Sequence, residues 1–470
     1  MIYLKRQIKK FYNNWSDEPY IYEKINDKYE YITFKKFIEK SLGIAKYLLD
    51  KNYKNKTIIL LSENSINLML YDLAITFYVG RSAIICKEWK KTEIEGSIKE
   101  IKADLLIYSS RYEDLVKEIK KETNIETMSM ENNDYPFTEE LLDLKVKRYN
   151  VVSKIIFSSG TTGKNKGVKL TLKNIYSGLP SMQRRCHFTH DDYTYMFLPM
   201  HHIYASICIF MYSIVTGHRL YLSSSTNNIG KELLETNPTV FCCVPLILNN
   251  LYNFYKDNID KAFGTNIRAI ICGGAPLSKE IRQVFIDKNI CLMPAYAMTE
   301  TSSAFTLTYP YHDDLYSVGE IYEDIDVKII DKDKNGIGEI IVKGDNVCHG
   351  YTDKSLNKKV FDEKGYFHTG DLGYIRNNKL YISGRKKKIL ITSNGENVYA
   401  EEIENKIKDK DENIVDVNAY IKDDKLAVNI YVKDNINSNI IDEYNLEVPS
   451  YERISIFTIY NDSIDTRLKD

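Results

Sequence analysis

The chain has 470 residues, and its 64 basic and 65 acidic side chains leave a formal charge of −1. This balance excludes a strongly basic surface for nucleic acid or for an anionic membrane. Hydrophobic residues make up 43% and charged residues 27%, which is the composition of a globular protein and excludes a disordered one. A chain of this length exceeds a single hydrophobic core, so about three compact units are predicted.

Strand and helix patterns alternate through the first 150 residues. Apolar residues at helical spacing predict helices over 34–49 and 66–78. Short apolar runs predict buried strands over 57–61, 82–86 and 104–108. This order of elements requires parallel crossover connections, so we expect an α/β sheet that is covered on both faces.

A second alternation begins at residue 151. Short strands are predicted over 152–157, 195–198, 240–244, 269–272 and 291–294, with helices between several of them. The longest apolar run, 203–215, falls short of the roughly 18 residues of a membrane span and predicts a buried helix.

The last part of the chain changes pattern. Short strands with turn signals over 318–347 predict a small β subdomain, and a helix at 401–408 precedes strands at 414–421, 426–432 and 454–459. The predicted fold is α/β: a large N-terminal domain of stacked, mostly parallel sheets with helices plus a small β subdomain, and a small α+β C-terminal domain. The predicted boundaries are 1–384 for the large domain, with subdomains 1–150, 151–315 and 316–384, and 385–470 for the small domain.

The eight cysteines form no C-x-x-C pair, and the first 15 residues have no apolar stretch of signal-peptide length. A chain of this size needs no disulfide bonds for stability. We therefore expect reduced thiols and a cytoplasmic protein without a membrane span or a nucleic-acid partner.

The strongest single signal is FSSGTTGKNKGV, at residues 157–168, directly after a predicted strand. Its glycines allow close approach of the backbone to an oxyanion, and its hydroxyl and ammonium groups are phosphate donors. The spacing is not that of a Walker P-loop. A surface linker is the alternative, but linkers rarely follow a buried strand. We predict a phosphate-binding loop whose donors are Ser158, Ser159, Gly160, Thr161, Thr162, Gly163, Lys164 and Lys166.

This loop resembles the [ST]SGTTGxPKGV signature of the acyl-adenylating superfamily, which contains acyl-CoA synthetases, nonribosomal adenylation domains and luciferases. Asn165 stands where proline is usual. Further motifs follow in the family's order: PMHH at 199–202, GGAPL at 273–277, YAMTE at 296–300, TGD at 369–371, GRKKK at 384–388 and NGENV at 394–398. The forms PMHHIYA, GGAPL and CHGYTD look closest to the fatty acyl-CoA synthetase branch.

The resemblance implies a role for individual residues. It places Tyr296 on adenine, Thr299 at the α-phosphate, Glu300 at Mg²⁺, Asp371 on the ribose hydroxyls and His202 beside the acyl pocket. The implied catalytic residues are Lys166, His202, Thr299 and Glu300. The rest of the implied nucleotide site comprises Gly273, Gly274, Ala275, Ala297, Met298 and Arg385.

The resemblance also implies the reaction: ATP-dependent activation of a carboxylic acid to an acyl-adenylate, followed by thioester formation. ATP, Mg²⁺ and CoA are the implied cofactors, with a carrier-protein phosphopantetheine as the alternative acceptor. Residues 203–216 contain no acidic side chain to pair a substrate ammonium, so a fatty or aryl acid is favoured over an amino acid. Together with Val244 and Pro245, this segment predicts an apolar lining for the acid; alternatively, these residues are helix core alone.

Several features leave alternatives open. The cations of 385–388 either form a solvated basic turn, receive CoA phosphates or act as a hinge, which the resemblance places at Lys388. Ala297 replaces a usual glycine, which either narrows the pocket or has no effect on it. Relatives end in PKTxxGKxxR, whereas this chain ends DTRLKD, so Lys469 is either a catalytic cation or a solvated end. This departure keeps a nucleotide-binding or acyl-binding pseudoenzyme as the alternative from another class.

Overall fold

The computed structural model describes residues 2–158, 166–311, 314–386, 389–391, 397–422, 425–448 and 452–461. The first part of the chain forms β1 (Pro19–Ile25), β2 (Lys28–Thr33), β3 (Thr57–Leu61), β4 (Arg81–Ile84), β5 (Leu105–Tyr108) and β6 (Glu126–Ser129). Its helices are α1 (Ile2–Asn14), α2 (Phe34–Asp50), α3 (Ile66–Ala74), α4 (Lys91–Ile101) and α5 (Glu113–Thr123). Hydroxyl caps start two of them, because Thr33 accepts from the amide of Lys36 and Ser65 from that of Leu68.

The middle of the chain contains β7 (Val152–Ser158), β8 (Lys166–Thr171), β9 (Tyr193–Met196), β10 (Arg219–Leu222), β11 (Val240–Cys243), β12 (Ala269–Gly273), β13 (Leu292–Ala297) and β14 (Ala304–Leu307). Its helices are α6 (Leu172–Ser177), α7 (Leu179–Cys186), α8 (Tyr212–Thr216), α9 (Ile229–Thr236), α10 (Pro245–Tyr255) and α11 (Lys279–Asp287). Then follow β15 (Glu320–Ile321), β16 (Asp326–Ile330), β17 (Gly338–Lys343), α12 (Lys354–Val360), β18 (Phe367–Arg376) and β19 (Lys379–Arg385).

The C-terminal part contains β20 (Ile389–Ile391), β21 (Asn397–Tyr399), α13 (Ala400–Lys408), β22 (Ile414–Lys422), β23 (Lys425–Val432), α14 (Ile440–Glu447) and β24 (Ile456–Asn461). Two π-helices, Ile75–Val79 and Tyr204–Met211, continue from α3 and lead into α8. The 3₁₀ turns are Ser110–Tyr112, Glu139–Asp143, Thr226–Asn228, Lys256–Phe263 and Thr299–Thr301. No helix within these described residues is both long and apolar enough to cross a membrane.

Two large sheets form the N-terminal part. The first has the order β6-β5-β3-β4-β7-β8 and is parallel except for the β7–β8 hairpin. The second has the order β16-β17-β18-β19-β15-β14-β13-β12-β11-β9-β10-β1-β2 in the described residues. Its segment from β13 to β1 is parallel, and its remaining pairs are antiparallel.

The two faces of β3 show how the first sheet is buried. Ile58 and Leu60 belong to the large hydrophobic cluster that joins both sheets. Ile59 and Leu61 belong to a second cluster with α4 and α5 on the opposite face. Successive residues of a strand point to opposite faces, so a strand covered on both faces is apolar throughout. This arrangement confirms the predicted α/β sheet.

A separate hydrophobic cluster lies in the C-terminal part, between Val398 and Ile454. It packs α13 and α14 against the three-stranded sheet β22–β23–β24. The predicted large and small domains therefore both occur. The chain positions of the domain boundaries, 384/385 among them, stay predictions.

Some predicted elements differ from the observed ones. The helix expected over 66–78 is α3 followed by a π-helix, and the buried helix expected over 203–215 is a π-helix followed by α8. The strand expected over 195–198 is β9, two residues earlier. Phe197 and Leu198 are buried but lie beyond the ladder with β10. An apolar run records burial and cannot show where pairing ends.

Candidate active site

The carboxyl ends of neighbouring parallel strands bring several predicted site residues together. Gly273 ends β12 and is paired with Ala295 of β13, one residue before Tyr296. A β-carbon on Gly273 would lie 2.9 Å from the carbonyl oxygen of Ala295, and Gly274 has a φ of +91°. Both positions therefore favour glycine. Ala275 is exposed beside them, so this strand end is open to a ligand.

Three residues predicted to bind the nucleotide meet at this edge. The phenol of Tyr296 donates to Oδ2 of Asp371, and the Arg385 Nε lies 3.1 Å from Oδ1 of the same carboxylate. Asp371 and Arg385 are directly paired residues of β18 and β19. The Tyr296 ring also packs edge-on against Phe305, with ring centroids 4.8 Å apart.

Burial determines the electrostatics of this group. Asp371 is 5% exposed, and burial raises the pKa of its carboxyl group, while the Tyr296 hydrogen bond and Arg385 act in the opposite direction. Burial, together with the nearby Asp371 charge, raises the pKa of the Tyr296 phenol. The phenol therefore stays protonated and donates a hydrogen bond to the carboxylate. The carboxylate accepts hydrogen bonds, as a ribose-binding aspartate must.

Glu300 lies in the 3₁₀ turn Thr299–Thr301 and is 8% exposed. Its Oε1 accepts a hydrogen bond of 2.7 Å from the Tyr351 hydroxyl, and its carbonyl accepts one of 2.7 Å from the amide of Cys348. Among the residues that the structure describes, no basic group forms an ion pair with this carboxylate. A buried, unneutralised carboxylate fits a divalent cation, and Mg²⁺ bound to a nucleotide often takes only one or two protein carboxylates.

The remaining residues of the YAMTE motif surround this turn. Ala297 is paired with Ala304 at the end of β13, after an irregularity in the register. The amide of Met298 donates to the hydroxyl of Thr301, and Thr299 is half-buried at the start of the turn. Thr299 and Glu300 therefore lie in the turn that follows β13, the strand that carries Tyr296.

The predicted phosphate-binding loop lies within the described residues only at its two ends, Ser158 and Lys166. Ser158 of β7 is paired with Lys166 of β8, so the two ends of the loop are held next to each other by the hairpin. The Lys166 Nζ lies 6.0 Å from the centre of the Tyr351 ring. The predicted donors Ser159, Gly160, Thr161, Thr162, Gly163 and Lys164 lie outside the described residues. Lys388, residues 394–396 and Lys469 also lie outside them.

The PMHH segment follows β9. The rings of His201 and His202 are 4.1 Å apart. Burial lowers the pKa of His201 to about 3, with smaller contributions from His202 and Lys87, and burial also lowers the pKa of His202. His201 is half-buried, whereas His202 is exposed. Both imidazoles are therefore neutral at physiological pH and add no positive charge to this segment.

Sequence reasoning missed Asn64, which lies between β3 and α3. Its Nδ2 donates to the carbonyl of Leu198 at 2.8 Å, and its Oδ1 accepts from the amide of Met200 at 2.9 Å. A single amide side chain thus holds both sides of the turn before His202 in place. The sequence contains no periodic or motif-based signal for such a contact, because it joins positions that are 134 residues apart.

The segment after His202 is apolar and buried. The π-helix Tyr204–Met211 is buried from Ala205 to Met211 and belongs to the large hydrophobic cluster. The Tyr204 hydroxyl donates to the carbonyl of Ile271 at 2.8 Å and so ties this helix to β12. Part of the predicted acyl lining is therefore helix core, whereas Val244 is only half-buried at the start of α10.

The chain is similar to proteins of known activity. Residues 8–352 match the model of the family described as AMP-binding enzyme. It is 27% identical over 387 residues to the 2-succinylbenzoate–CoA ligase of Bacillus cereus strain AH820, covering 80% of this chain and 77% of the relative. A ligase of the same name from Bacillus thuringiensis is also 27% identical, with the same coverage.

Solved structures share the fold. The o-succinylbenzoate CoA synthetase of Bacillus subtilis in complex with an acyl-adenylate intermediate superimposes with a TM-score of 0.82 at 21% identity, covering 99% of this chain and 98% of that one. The same synthetase in complex with ATP and magnesium also gives 0.82, covering 97% and 95%. ATP-bound MatB from Rhodopseudomonas palustris gives 0.82 at 20% identity, again covering 97% and 95%.

These similarities confirm the predicted α/β architecture and the predicted enzyme class. The predicted cofactors ATP, Mg²⁺ and CoA are those with which the relatives and matching structures are named. Both Bacillus ligases are named for 2-succinylbenzoate, and not for a fatty acid or a carrier protein. Because the family model spans well over half of its length, the chain belongs to the AMP-binding enzyme family and is an AMP-forming acid–thiol ligase.

Proposed function

We propose that this enzyme activates an aromatic acid of the 2-succinylbenzoate type with ATP and then transfers the acyl group to CoA. The observation that carries the proposal is the similarity of 80% of the chain to ligases named for this acid. Residues 203–216 support it, since they contain no acidic side chain that would pair the ammonium of an amino acid.

The reaction has two steps. A carboxylate oxygen of the acid attacks the α-phosphorus of ATP, the bond to the β-phosphate oxygen breaks, and pyrophosphate leaves. The CoA sulfur, as a thiolate, then attacks the acyl carbonyl, and AMP leaves as the carbon–oxygen bond of the mixed anhydride breaks. Both reactants of the first step are anionic, so the site must neutralise charge and align the attack.

The residues at the strand ends are suited to the first step. Asp371 accepts hydrogen bonds from the ribose hydroxyls, and Tyr296 and Arg385 hold its carboxylate in place. Glu300 would hold Mg²⁺, which supplies positive charge to the phosphates when bound. Lys166 adds a cation at the end of the phosphate-binding loop. In this assignment no side chain forms a covalent intermediate, because the acyl-adenylate is already activated.

The acid enters beside the PMHH segment. His202 is neutral there because burial lowers its pKa, so it offers an apolar ring face and a hydrogen bond but no charge. The neighbouring π-helix and the half-buried Val244 supply apolar surface. These properties suit the aromatic ring of the acid.

The proposal is tested with a panel of acids: 2-succinylbenzoate, benzoate, a long-chain fatty acid and an amino acid. Pyrophosphate exchange measures adenylation, and CoA-thioester formation is measured in parallel. We expect 2-succinylbenzoate to exceed the fatty acid in kcat/KM by on the order of 100-fold or more, because its polar groups need matched partners. Glu300→Gln is the control and should lower exchange by on the order of 100-fold.

Each outcome separates one part of the proposal. A fatty acid that is the better substrate would overturn the choice of acid and leave the ligase reaction intact. Exchange without a CoA thioester, but with loading of a phosphopantetheinylated carrier protein, would overturn CoA as the acceptor. No exchange with any acid would overturn the proposed reaction.

A further inference from the structure

Residues 348–352, the CHGYT segment, connect the site's acidic turn to the base of the phosphate-binding loop. On one side the segment pairs with β8 in antiparallel fashion. The amide of His349 donates to the carbonyl of Lys169 at 2.9 Å. In return, the amide of Lys169 donates to the carbonyl of Gly350 at 2.8 Å. The amide of Thr352 donates to the carbonyl of Gly167 at 2.8 Å.

On its other side the 348–352 segment contacts Glu300 twice. The Cys348 amide donates to the Glu300 carbonyl, and the Tyr351 hydroxyl donates to Glu300 Oε1, both at 2.7 Å. Tyr351 is 4% exposed and Glu300 8% exposed. A hydrogen bond from a neutral phenol to a buried carboxylate is charge-assisted and fixes the orientation of the carboxylate plane.

Tyr351 is itself held in place. Its amide donates to Asn357 Oδ1 at 2.8 Å. The Lys166 ammonium lies 6.0 Å from the centre of its ring, within range of a weak cation–π contact. A tyrosine hydroxyl is uncharged near neutral pH, so Tyr351 can donate this hydrogen bond. Tyr351 thus lies between the acidic turn, which it contacts, and Lys166 at the end of the predicted phosphate-binding loop.

We propose that Tyr351 is a positioning residue that orients the Glu300 carboxylate toward Mg²⁺ and couples it to the phosphate-binding loop through Lys166. The inference rests on the proposed function, in which Glu300 binds the metal. Residues that hydrogen-bond a metal-binding carboxylate fix its orientation, and their loss typically weakens metal binding by roughly 10- to 100-fold.

The test measures ATP binding by calorimetry over a series of Mg²⁺ concentrations, without the acid substrate. Tyr351→Phe removes only the hydroxyl. We expect metal-free ATP affinity to stay within about twofold of wild type, while the Mg²⁺ concentration for half-maximal enhancement rises roughly 10-fold. Tyr20→Phe is the matched control. Tyr20 is also buried, and its hydroxyl forms a hydrogen bond of 2.7 Å with the Ser213 hydroxyl. It belongs to β1, near the far end of the second sheet.

Glu300→Gln and the double variant complete a cycle. If Tyr351 acts through Glu300, Tyr351→Phe has no further effect on the Mg²⁺ response in the Glu300→Gln background. An unchanged Mg²⁺ response in folded Tyr351→Phe would overturn the positioning role. If Tyr351→Phe does not fold, Tyr351→His is measured instead, and the same Mg²⁺ response decides. An unchanged Mg²⁺ response in Glu300→Gln would instead overturn the metal-binding role of Glu300 in the proposed function. That outcome is distinguishable from failure of the positioning role, which shows only in Tyr351→Phe.

Discussion

At the scale of single residues, Asn64 determines the position of the turn that leads to His202. Its amide forms two hydrogen bonds with the main chain of Leu198 and Met200, at 2.8 and 2.9 Å. The geometry is that of a backbone pair, although one partner is a side chain. Within the turn, the amide of His202 also donates to the carbonyl of Pro199 at 3.0 Å.

Asn64→Ala should therefore impair use of the acid more than use of ATP. Loss of both hydrogen bonds leaves a carbonyl and an amide without partners, which is worth about 1–3 kcal/mol. We expect KM for the acid to rise roughly 10-fold, with KM for ATP nearly unchanged. Asn67→Ala is the control, because Asn67 lies three residues away and bonds to Asn133 instead. Equal losses in both variants would contradict the role of Asn64.

Residue types in motifs could be predicted from the sequence, but their contacts could not. The sequence singled out Tyr296, Asp371 and Arg385, and the structure brings them within hydrogen-bonding distance of one another. The motif supplied those names and not the bond between the phenol and the carboxylate. Asn64 and Tyr351 act through contacts between distant chain positions, which composition and periodicity do not record.

At the scale of elements, the apolar pattern predicted helix and strand types well and their ends less well. Ile66–Ala74 and Ile75–Val79 read as one helix because both are apolar and buried on most sides. The change to π-helical hydrogen bonding is decided by packing. The buried ion pair of Asp72 with Lys154 shows why the hydrophobic pattern misses part of the core.

Lys147 makes the end of that π-helix sensitive to pH. Its ammonium donates to the carbonyls of Thr76, at 3.4 Å, and Gly80. Burial, with a smaller contribution from Arg81, lowers its pKa to about 7. The unfolded chain therefore binds more protons than the folded one between about pH 7 and 10. Stability from the neutral amine is complete above about pH 10 and is lost progressively as the pH falls to about 7.

We expect the free energy of unfolding of the wild type to rise by roughly 1–2 kcal/mol between pH 7 and 9 relative to Lys147→Met. Denaturant titrations at each pH measure this difference. Lys145→Met is the control, because Lys145 is exposed two residues away and should keep the slope of the wild type. A parallel dependence in Lys147→Met and the wild type would contradict the prediction.

At the scale of the whole molecule, strand order is what the sequence did not show. β1 and β2 lie early in the chain, yet β1 pairs with β10, about 200 residues later, and not with the strands of the first sheet. β7 and β8 extend the first sheet instead. Local patterns define strands, whereas their order depends on which apolar faces pack in three dimensions, so only the class of fold was predictable.

An ion pair and a hydrogen bond are among the polar contacts that join the large and small domains in the described residues. Lys256 pairs with Glu412 at 3.0 Å, and the Tyr399 hydroxyl donates to Asp333 at 3.0 Å. Both partners of the ion pair are more than half exposed, and such pairs stabilise by roughly 0–1 kcal/mol. The arrangement is therefore sensitive to small electrostatic changes at the same interface.

Asp409 provides such a change. It ends α13 of the small domain and faces Glu280 and Lys279 of α11, with Lys408 beside it. Asp409 is exposed to solvent in part, yet desolvation by the surrounding protein raises its pKa to about 6; repulsion from Glu280 adds to the increase, and Lys279 and Lys408 oppose it. The domain contact therefore favours the protonated carboxyl group. The stabilisation that comes from the protonated carboxyl group is complete below about pH 4, the ordinary pKa of an aspartate. It is lost as the pH rises through about 6.

Asp409→Asn should consequently preserve this arrangement at neutral pH. Small-angle X-ray scattering of the nucleotide-free wild type should show the radius of gyration increasing between pH 5 and 7, because the ionised Asp409 repels Glu280. The variant carries a neutral amide at every pH, so its radius at pH 7 should equal that of the wild type at pH 5. Glu412 stays ionised throughout this range, because Lys256 lowers the pKa of its carboxyl group, and it contributes no change of its own. A variant whose radius changes with pH as much as the wild type would show that another group controls the domain contact.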